Sequence, residues 1–304
     1  MKTILTLAAL LVVLSASAAD ADKPAKKPLP ERVKEFTAKY DTEEKVTKRL
    51  AEWTAEEPNS PDPYVIAANA YLKASSNVQI NAGPPTGEFL ITDPKTKKVV
   101  GSIHEGPSAQ GYKLALATLA TAAGKFPQRM DIHVGRMSVA RDADDIPALV
   151  AAGQELVKAA QTEGDKMRWI DGAPLPAPLR EKLVNELQGR IAWLYQEETD
   201  KTDELAQQLS VEALQVAPDS VELLNDAAIY HLYQKDWAKA RPYLEHAEKS
   251  EPKDLYVKFN LARVYTELGE KKLARTKYQE IIKQSPDSRE GKDAKAALKA
   301  LDKK

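Results

Sequence analysis

The sequence predicts an all-α fold: a solenoid of antiparallel helical hairpins with one β-hairpin insertion and a C-terminal capping helix. The first observation behind this is a repeat. Ala228 and Ala262, Ala240 and Ala274, and Pro252 and Pro286 are each 34 residues apart, and Pro218 stands another 34 upstream behind Ala206 and Ala213. A fixed period of this length marks stacked supersecondary units. The second is helical spacing of apolar residues within the period. Val257, Leu261, Val264 and Leu268 form one stripe, and Leu273, Tyr278, Ile281 and Ile282 a second. The third is punctuation. Gly269, between the stripes, can take the left-handed conformation that stops a helix. "PDSVE" at 218–222 and "PDSRE" at 286–290 set Asp219 and Asp287 three residues ahead of Glu222 and Glu290, a capping-box-like start.

From the N-terminus, "MKTILTLAALLVVLSASAAD" joins Lys2 to an apolar run over 4–14 and an Ala16-Ser17-Ala18 site. This is the layout of a secretory signal peptide over 1–19. The run is shorter than the roughly 20 residues a bilayer-spanning helix needs, so no transmembrane segment is expected. An exported chain follows as the expectation, periplasmic or alternatively secreted outside the cell. It has no cysteine, hence no disulfide and no lipidated-cysteine anchor. Residues 20–40 read as a polar segment with a short helix.

Residues 41–161 form an N-terminal helical region. Helices are expected over 42–57 before Pro58, over 63–75, over 112–127 ending at Pro127, through "MDIHVGRM", and over 147–161, where Asp145 or Ile146 stands at the start. The helix period is lost over about 76–107. There "EFLITDPKTKKVVGSI" reads as strands over 89–92 and 99–103 around a polar turn. A lone hairpin is marginal in water, so it is expected to pack on the helices. "TEGDKMRWIDGAPLPAP" at 162–178, rich in Gly and Pro, reads as a joint. The C-terminal array spans 179–288, opening with a helix over 179–198 that sets Leu183, Leu187, Ile191 and Leu194 on one face. Residues 289–304 close it as the capping helix. Ala294, Ala297, Leu298 and Leu301 form its single apolar stripe and lysines its outer face, as a terminal cap requires.

"NLARVYTELGEKKLARTKYQEIIKQSP" at 260–286 resembles a tetratricopeptide repeat (TPR), the 34-residue helix–turn–helix unit. Ala262, Tyr265, Gly269, Ala274, Tyr278 and Pro286 match its pattern. The unit at 221–254 keeps Ala228, Trp237, Ala240, Leu244, Ala247 and Pro252, with His231 in place of the tyrosine and Lys235 in place of the glycine. The resemblance is specific over about 203–288, weaker over 42–75 and faint over 108–161. It implies a non-catalytic protein–protein interaction module, an adaptor holding a peptide or protein partner along a concave groove lined by first helices.

On this chain the groove positions are Asn225, Ile229 and Tyr233 from one unit and Tyr256, Phe259 and Arg263 from the next. Aromatic and Arg side chains concentrate binding energy. The alternative is that Tyr256 and Phe259 pack on the preceding unit's second helix. The family's Lys/Asn clamp for a C-terminal carboxylate is not reproduced: Val65 with Asn69 keeps only the asparagine, and Phe259 with Arg263 neither residue.

Chemistry finds little footing. Four histidines and no cysteine leave few metal ligands. His231 reads as packed core, and His246 has no carboxylate pair at zinc spacing. His133 reads as structural, and His104 with Glu105 as exposed loop residues at the hairpin's exit. "RDADDIP" at 141–147 lacks the glycine and terminal glutamate of a calcium loop, and reads as carboxylates at a helix start. No metal, cofactor or enzyme activity is expected. A net charge of -1 gives no case for nucleic acid or an anionic membrane, and "KPAKKP" and "PKTKK" read as solvated charge. Two function classes remain: the adaptor, monomeric with an open groove, and a constitutive structural subunit of a cell-envelope assembly or homo-oligomer. An enzyme using the insertion stands third.

Overall fold

The computed structural model describes residues 27–82, 89–93 and 95–302. The signal peptide expected over 1–19 lies outside them. Thirteen α-helices follow one another among the described residues: α1 (Leu29–Lys39), α2 (Glu43–Glu56), α3 (Asp62–Ala74), α4 (Ala109–Lys125), α5 (Met130–Asp142), α6 (Ile146–Glu163), α7 (Leu179–Gln196), α8 (Asp200–Ala213), α9 (Val221–Tyr233), α10 (Trp237–Ser250), α11 (Leu255–Glu267), α12 (Lys271–Gln284) and α13 (Arg289–Leu301). They pair as antiparallel hairpins α3–α4, α5–α6, α7–α8, α9–α10 and α11–α12, each packed on the next, with α13 laid on α12. The fold is the all-α solenoid expected.

The helices α9, α11 and α13 each start where a short polar side chain catches a free backbone N–H. Ser220, Asp254 and Ser288, again 34 apart, accept from Leu223 N (3.3 Å), Val257 N (2.9 Å) and Gly291 N (3.0 Å). The caps are therefore the serines, and not Asp219 and Asp287 as the capping-box pattern suggested. The helices begin one residue later, which frees Asp219 to meet His246 Nε2 at 2.9 Å. Each hairpin turn needs one left-handed residue. Gly269 supplies it at φ 76°, whereas Lys235, 34 residues earlier, is held there at φ 57°, a conformation costing a residue with a Cβ roughly 1–2 kcal/mol.

The core divides into three clusters along the solenoid. One gathers α1 to α5 around Ile66, Tyr71, Leu119 and Phe126, and a second runs from Met130 to Leu223. The third fills α9 to α13 around Leu244, Leu261, Tyr278 and Ile281. The second cluster crosses the Gly/Pro-rich stretch read as a joint, and Met167 inside that stretch is buried. The stretch is also tied down: Met130 N donates to Arg168 O at 3.0 Å, Arg168 N donates to Gln128 O at 2.8 Å, and Arg32 joins Asp62 to Asp171.

The insertion departs from the expected hairpin. It is a three-stranded antiparallel sheet, β1 (Ser76–Ala82), β2 (Phe89–Thr92) and β3 (Val99–Pro107), in the order β1-β3-β2. β1 carries a weak signal because "SNVQINA" is mostly polar, with only Val78 and Ile80 alternating. β3 runs to Pro107, so His104 and Glu105 lie within a strand, opposite Gln79 and Val78. The sheet leaves and re-enters one hairpin turn, with Ser76 paired to Pro107 and Ser108 N donating to Ser75 O at 3.1 Å. β3 touches α3 and α4, the helices the insertion joins.

Ala240 and Ala274 are fully buried, whereas Ala300 is exposed. Ala274→Leu should overpack the crossing by roughly 1–3 kcal/mol, and Ala300→Leu should leave the melting temperature unchanged. Equal midpoints in thermal melts of the two variants would contradict this packing.

Candidate functional site

The first helices of successive hairpins touch one another directly, α7 with α9 and α11 with α13. α7, α9 and α11 share one side of the stack, called the inner face below. Polar side chains knit this face. Asn260 Nδ2 donates to Asn225 Oδ1 at 3.3 Å, joining α11 to α9. Gln188 Nε2 donates to Asp226 Oδ2 at 3.4 Å, and Tyr195 Oη donates to the Asp226 carbonyl at 2.6 Å, joining α7 to α9. Tyr195 and Tyr233 meet edge to face, with ring centroids 6.1 Å apart.

All six residues read from the sequence lie on α9 and α11. Tyr233 and Tyr256 are 60% and 52% exposed. Arg263 is exposed and, among the described residues, takes part in no hydrogen bond or ion pair. Asn225 and Ile229 are half-buried, with Asn225 occupied by Asn260. Phe259 is half-buried too, its ring edge-on to Tyr278 at 6.0 Å. The ring rests on the second helix of its own unit and packs against the cluster that also holds Leu244 of the preceding one, and serves as floor more than as free contact.

Four participants were missed: Gln188, Tyr195, Asp226 and Asn260. The repeat itself held the signal, because Asp226 and Asn260 are 34 apart and both are polar in an otherwise apolar row. Asp226 is strongly perturbed. Burial, with Glu222 adding like charge, pushes its carboxyl up to about 7. Tyr195 is likewise raised, mainly by burial.

The other candidates serve the fold. His231 stacks on Tyr243 at 5.9 Å, and burial lowers its pKa. His133 is buried, its Nε2 3.1 Å from the Pro127 carbonyl. Asp145 of "RDADDIP" caps α6, accepting from Ala148 N at 3.0 Å. Among the described residues no cluster of three or more His, Cys, Asp or Glu could hold a metal, and no helix is long and apolar enough to cross a membrane.

Residues 231–298 match the family model described as tetratricopeptide repeat, so the chain carries this repeat there. No curated protein matches the chain. Among solved structures it is similar to YrrB, described as a TPR protein with an unusual peptide-binding site. That match has 12% identity over 81% of this chain and 97% of that one, with a TM-score of 0.41. It is also similar to the C-terminal part of a TPR repeat-containing protein from Cytophaga hutchinsonii, at 12% identity over 90% and 95% of the two chains, TM-score 0.41. MamA matches at 8% identity over 58% and 90%, TM-score 0.37. Likenesses at these TM-scores carry no weight for what the inner face binds.

Asp226 is protonated more readily in the folded chain than in the unfolded one. It therefore contributes stability that is whole near the unfolded carboxylate pKa and is lost as pH rises through about 7. Between about pH 5 and pH 8 the melting temperature of Asp226→Asn should fall less than that of the wild type. Parallel curves would mean that the carboxyl is ionised throughout.

Proposed function

We propose that the chain is an exported, non-catalytic adaptor that holds an extended peptide or protein segment along the inner face of α7, α9 and α11. One observation carries this reading. Tyr233 and Tyr256 are the two most exposed large apolar side chains among the described residues, and they stand on neighbouring first helices. Neither is needed to close the core, and exposed aromatics flanked by the unpaired Arg263 are the side chains that concentrate binding energy. Half-buried Ile229 and Phe259 give the face an apolar floor. The mixed surface charge and net charge of -1 suit a polypeptide better than nucleic acid. Export rests on Lys2, the apolar run over 4–14 and Ala16-Ser17-Ala18.

Selection from a displayed pool of random peptides against the purified protein tests the adaptor. Enriched peptides should lose roughly 2 kcal/mol or more of affinity for the double variant Tyr233→Ala with Tyr256→Ala, as central anchors do. The circular dichroism and melting temperature of that variant should stay close to wild type. Undiminished binding would place the site elsewhere.

Export has its own check. N-terminal sequencing of the protein from its natural source should begin at Ala19 or Asp20. Met1 retained on the main species would contradict export.

A further inference from the structure

Beside the aromatic pair on the inner face, the turn from α7 to α8 carries negative charge that nothing balances. Residues 197–204 read "EETDKTDE", with Glu197, Glu198, Asp200, Asp203 and Glu204 against the single base Lys201. Among the described residues none of these carboxylates is in an ion pair, and Lys201 is exposed and unpaired as well. Elsewhere the solenoid pairs its charges freely, as Lys277 with Glu248 and Arg241 with Glu270.

Acidic residues near the start of α8 also favour its helix dipole, and that alone would call for no partner. Asp203 goes further. It is 7% exposed, and its Oδ1 is shielded from water with no hydrogen-bond donor among the described residues. A shielded carboxylate oxygen without a donor is costly to keep. The group lies just beneath the surface, close enough for its charge to act on both neighbouring rings. Burial chiefly raises both phenols; Asp226 and then Asp203 add to it at Tyr195, and Tyr256, Asp203 and Glu198 add to it at Tyr233. Those two rings meet edge to face at 6.1 Å. Tyr195 is pinned by its hydroxyl to the Asp226 carbonyl, while Tyr233 stands 60% exposed.

We infer that Tyr195, Tyr233, Asp203 and Glu198 form a subsite for a lysine or arginine side chain of an extended partner segment. The inference rests on the reading of the inner face as a peptide-holding surface, and names the chemistry of what it holds. The aliphatic stem of such a side chain packs on the Tyr233 ring. Its cationic head meets the ring's negative face and the carboxylates, and Asp203, turning its shielded Oδ1 outward, gains the donor it lacks. A bare metal ion fits less well, because the carboxylates do not converge into a ligand set among the described residues. An acidic or phosphorylated segment would add charge of the sign already in excess.

The test uses fluorescein-labelled twelve-residue peptides, alternating Arg-Ser, Gln-Ser and Glu-Ser, read by anisotropy on the whole mature protein at low salt. The Arg-Ser peptide should bind at least tenfold tighter than the Gln-Ser peptide, with the Glu-Ser peptide weakest. Asp203→Asn with Glu198→Gln should remove most of that advantage, and Tyr233→Ala should weaken the Arg-Ser peptide severalfold. Asp203→Asn is nearly isosteric and should keep the melting temperature. The paired control Asp287→Asn with Glu251→Gln, at exposed carboxylates outside the subsite, should leave the advantage intact. Equal binding of Arg-Ser and Gln-Ser peptides, no binding of the Arg-Ser peptide, or an equal loss in the control pair would overturn the subsite. The displayed-pool selection separates this from the broader reading. Neutral peptides that depend on Tyr233 and Tyr256 but not on Asp203 would remove the subsite and leave the adaptor standing.

Discussion

Where the two helices of a hairpin cross, their backbones come too close to admit a side chain larger than a methyl group, and the solenoid is built outward from that contact. Ala228 and Ala240 stand six residues either side of position 234, and Ala262 and Ala274 six either side of 268. All four are fully buried. A close crossing makes each hairpin a flat unit whose large side chains must point away from it. Leu244, Leu261, Tyr278 and Ile281 fill the core that the hairpins share along the stack. Stacking is then the route by which each hairpin covers its apolar surface.

Polar side chains stitch both sides of the stack. On the second-helix side the links are mixed: a part-buried ion pair, Lys277 with Glu248, joins α12 to α10, and the amides of Gln154 and Gln161 reach from α6 to Glu212 and Gln215. Between α7, α9 and α11 the links are neutral or nearly so: an amide to an amide, an amide to a carboxyl raised toward neutrality, a phenol to a carbonyl. Desolvation there favours such links, since a buried charge needs close compensation. The same desolvation makes the few charges left on that face count for more, because less water stands between them and anything laid across them.

Much of this was legible in the residues. The 34-residue period, the alanines at the crossings and the glycine at position 269 specify the C-terminal hairpins, since each leaves its own mark on a single short stretch. Helical spacing within a unit, with the repeat laid over it, led to Tyr233 on α9 and to Tyr256 and Arg263 on α11. What escaped depends on contacts between units. Asp226 looks like any surface carboxylate until α7 covers it, and Tyr195 belongs to a unit whose first helix has drifted from the pattern. β1 escaped for a related reason: its partner strand lies beyond β2 in the chain, and a polar strand shows itself only once paired.

The ladder pair Ser76 with Pro107 sits at the mouth of the hairpin formed by α3 and α4. A chain that leaves and returns at neighbouring points asks nothing of the scaffold beyond what a short turn already asks, because closure entropy grows only slowly with loop length. The thirty or so residues between those points are thus insulated from the stacking on either side. Lineages could lengthen, shorten or exchange that segment as a cassette, with the register of the helices undisturbed. The solenoid would vary by grafting at one hairpin mouth while its 34-residue rhythm stays under separate constraint.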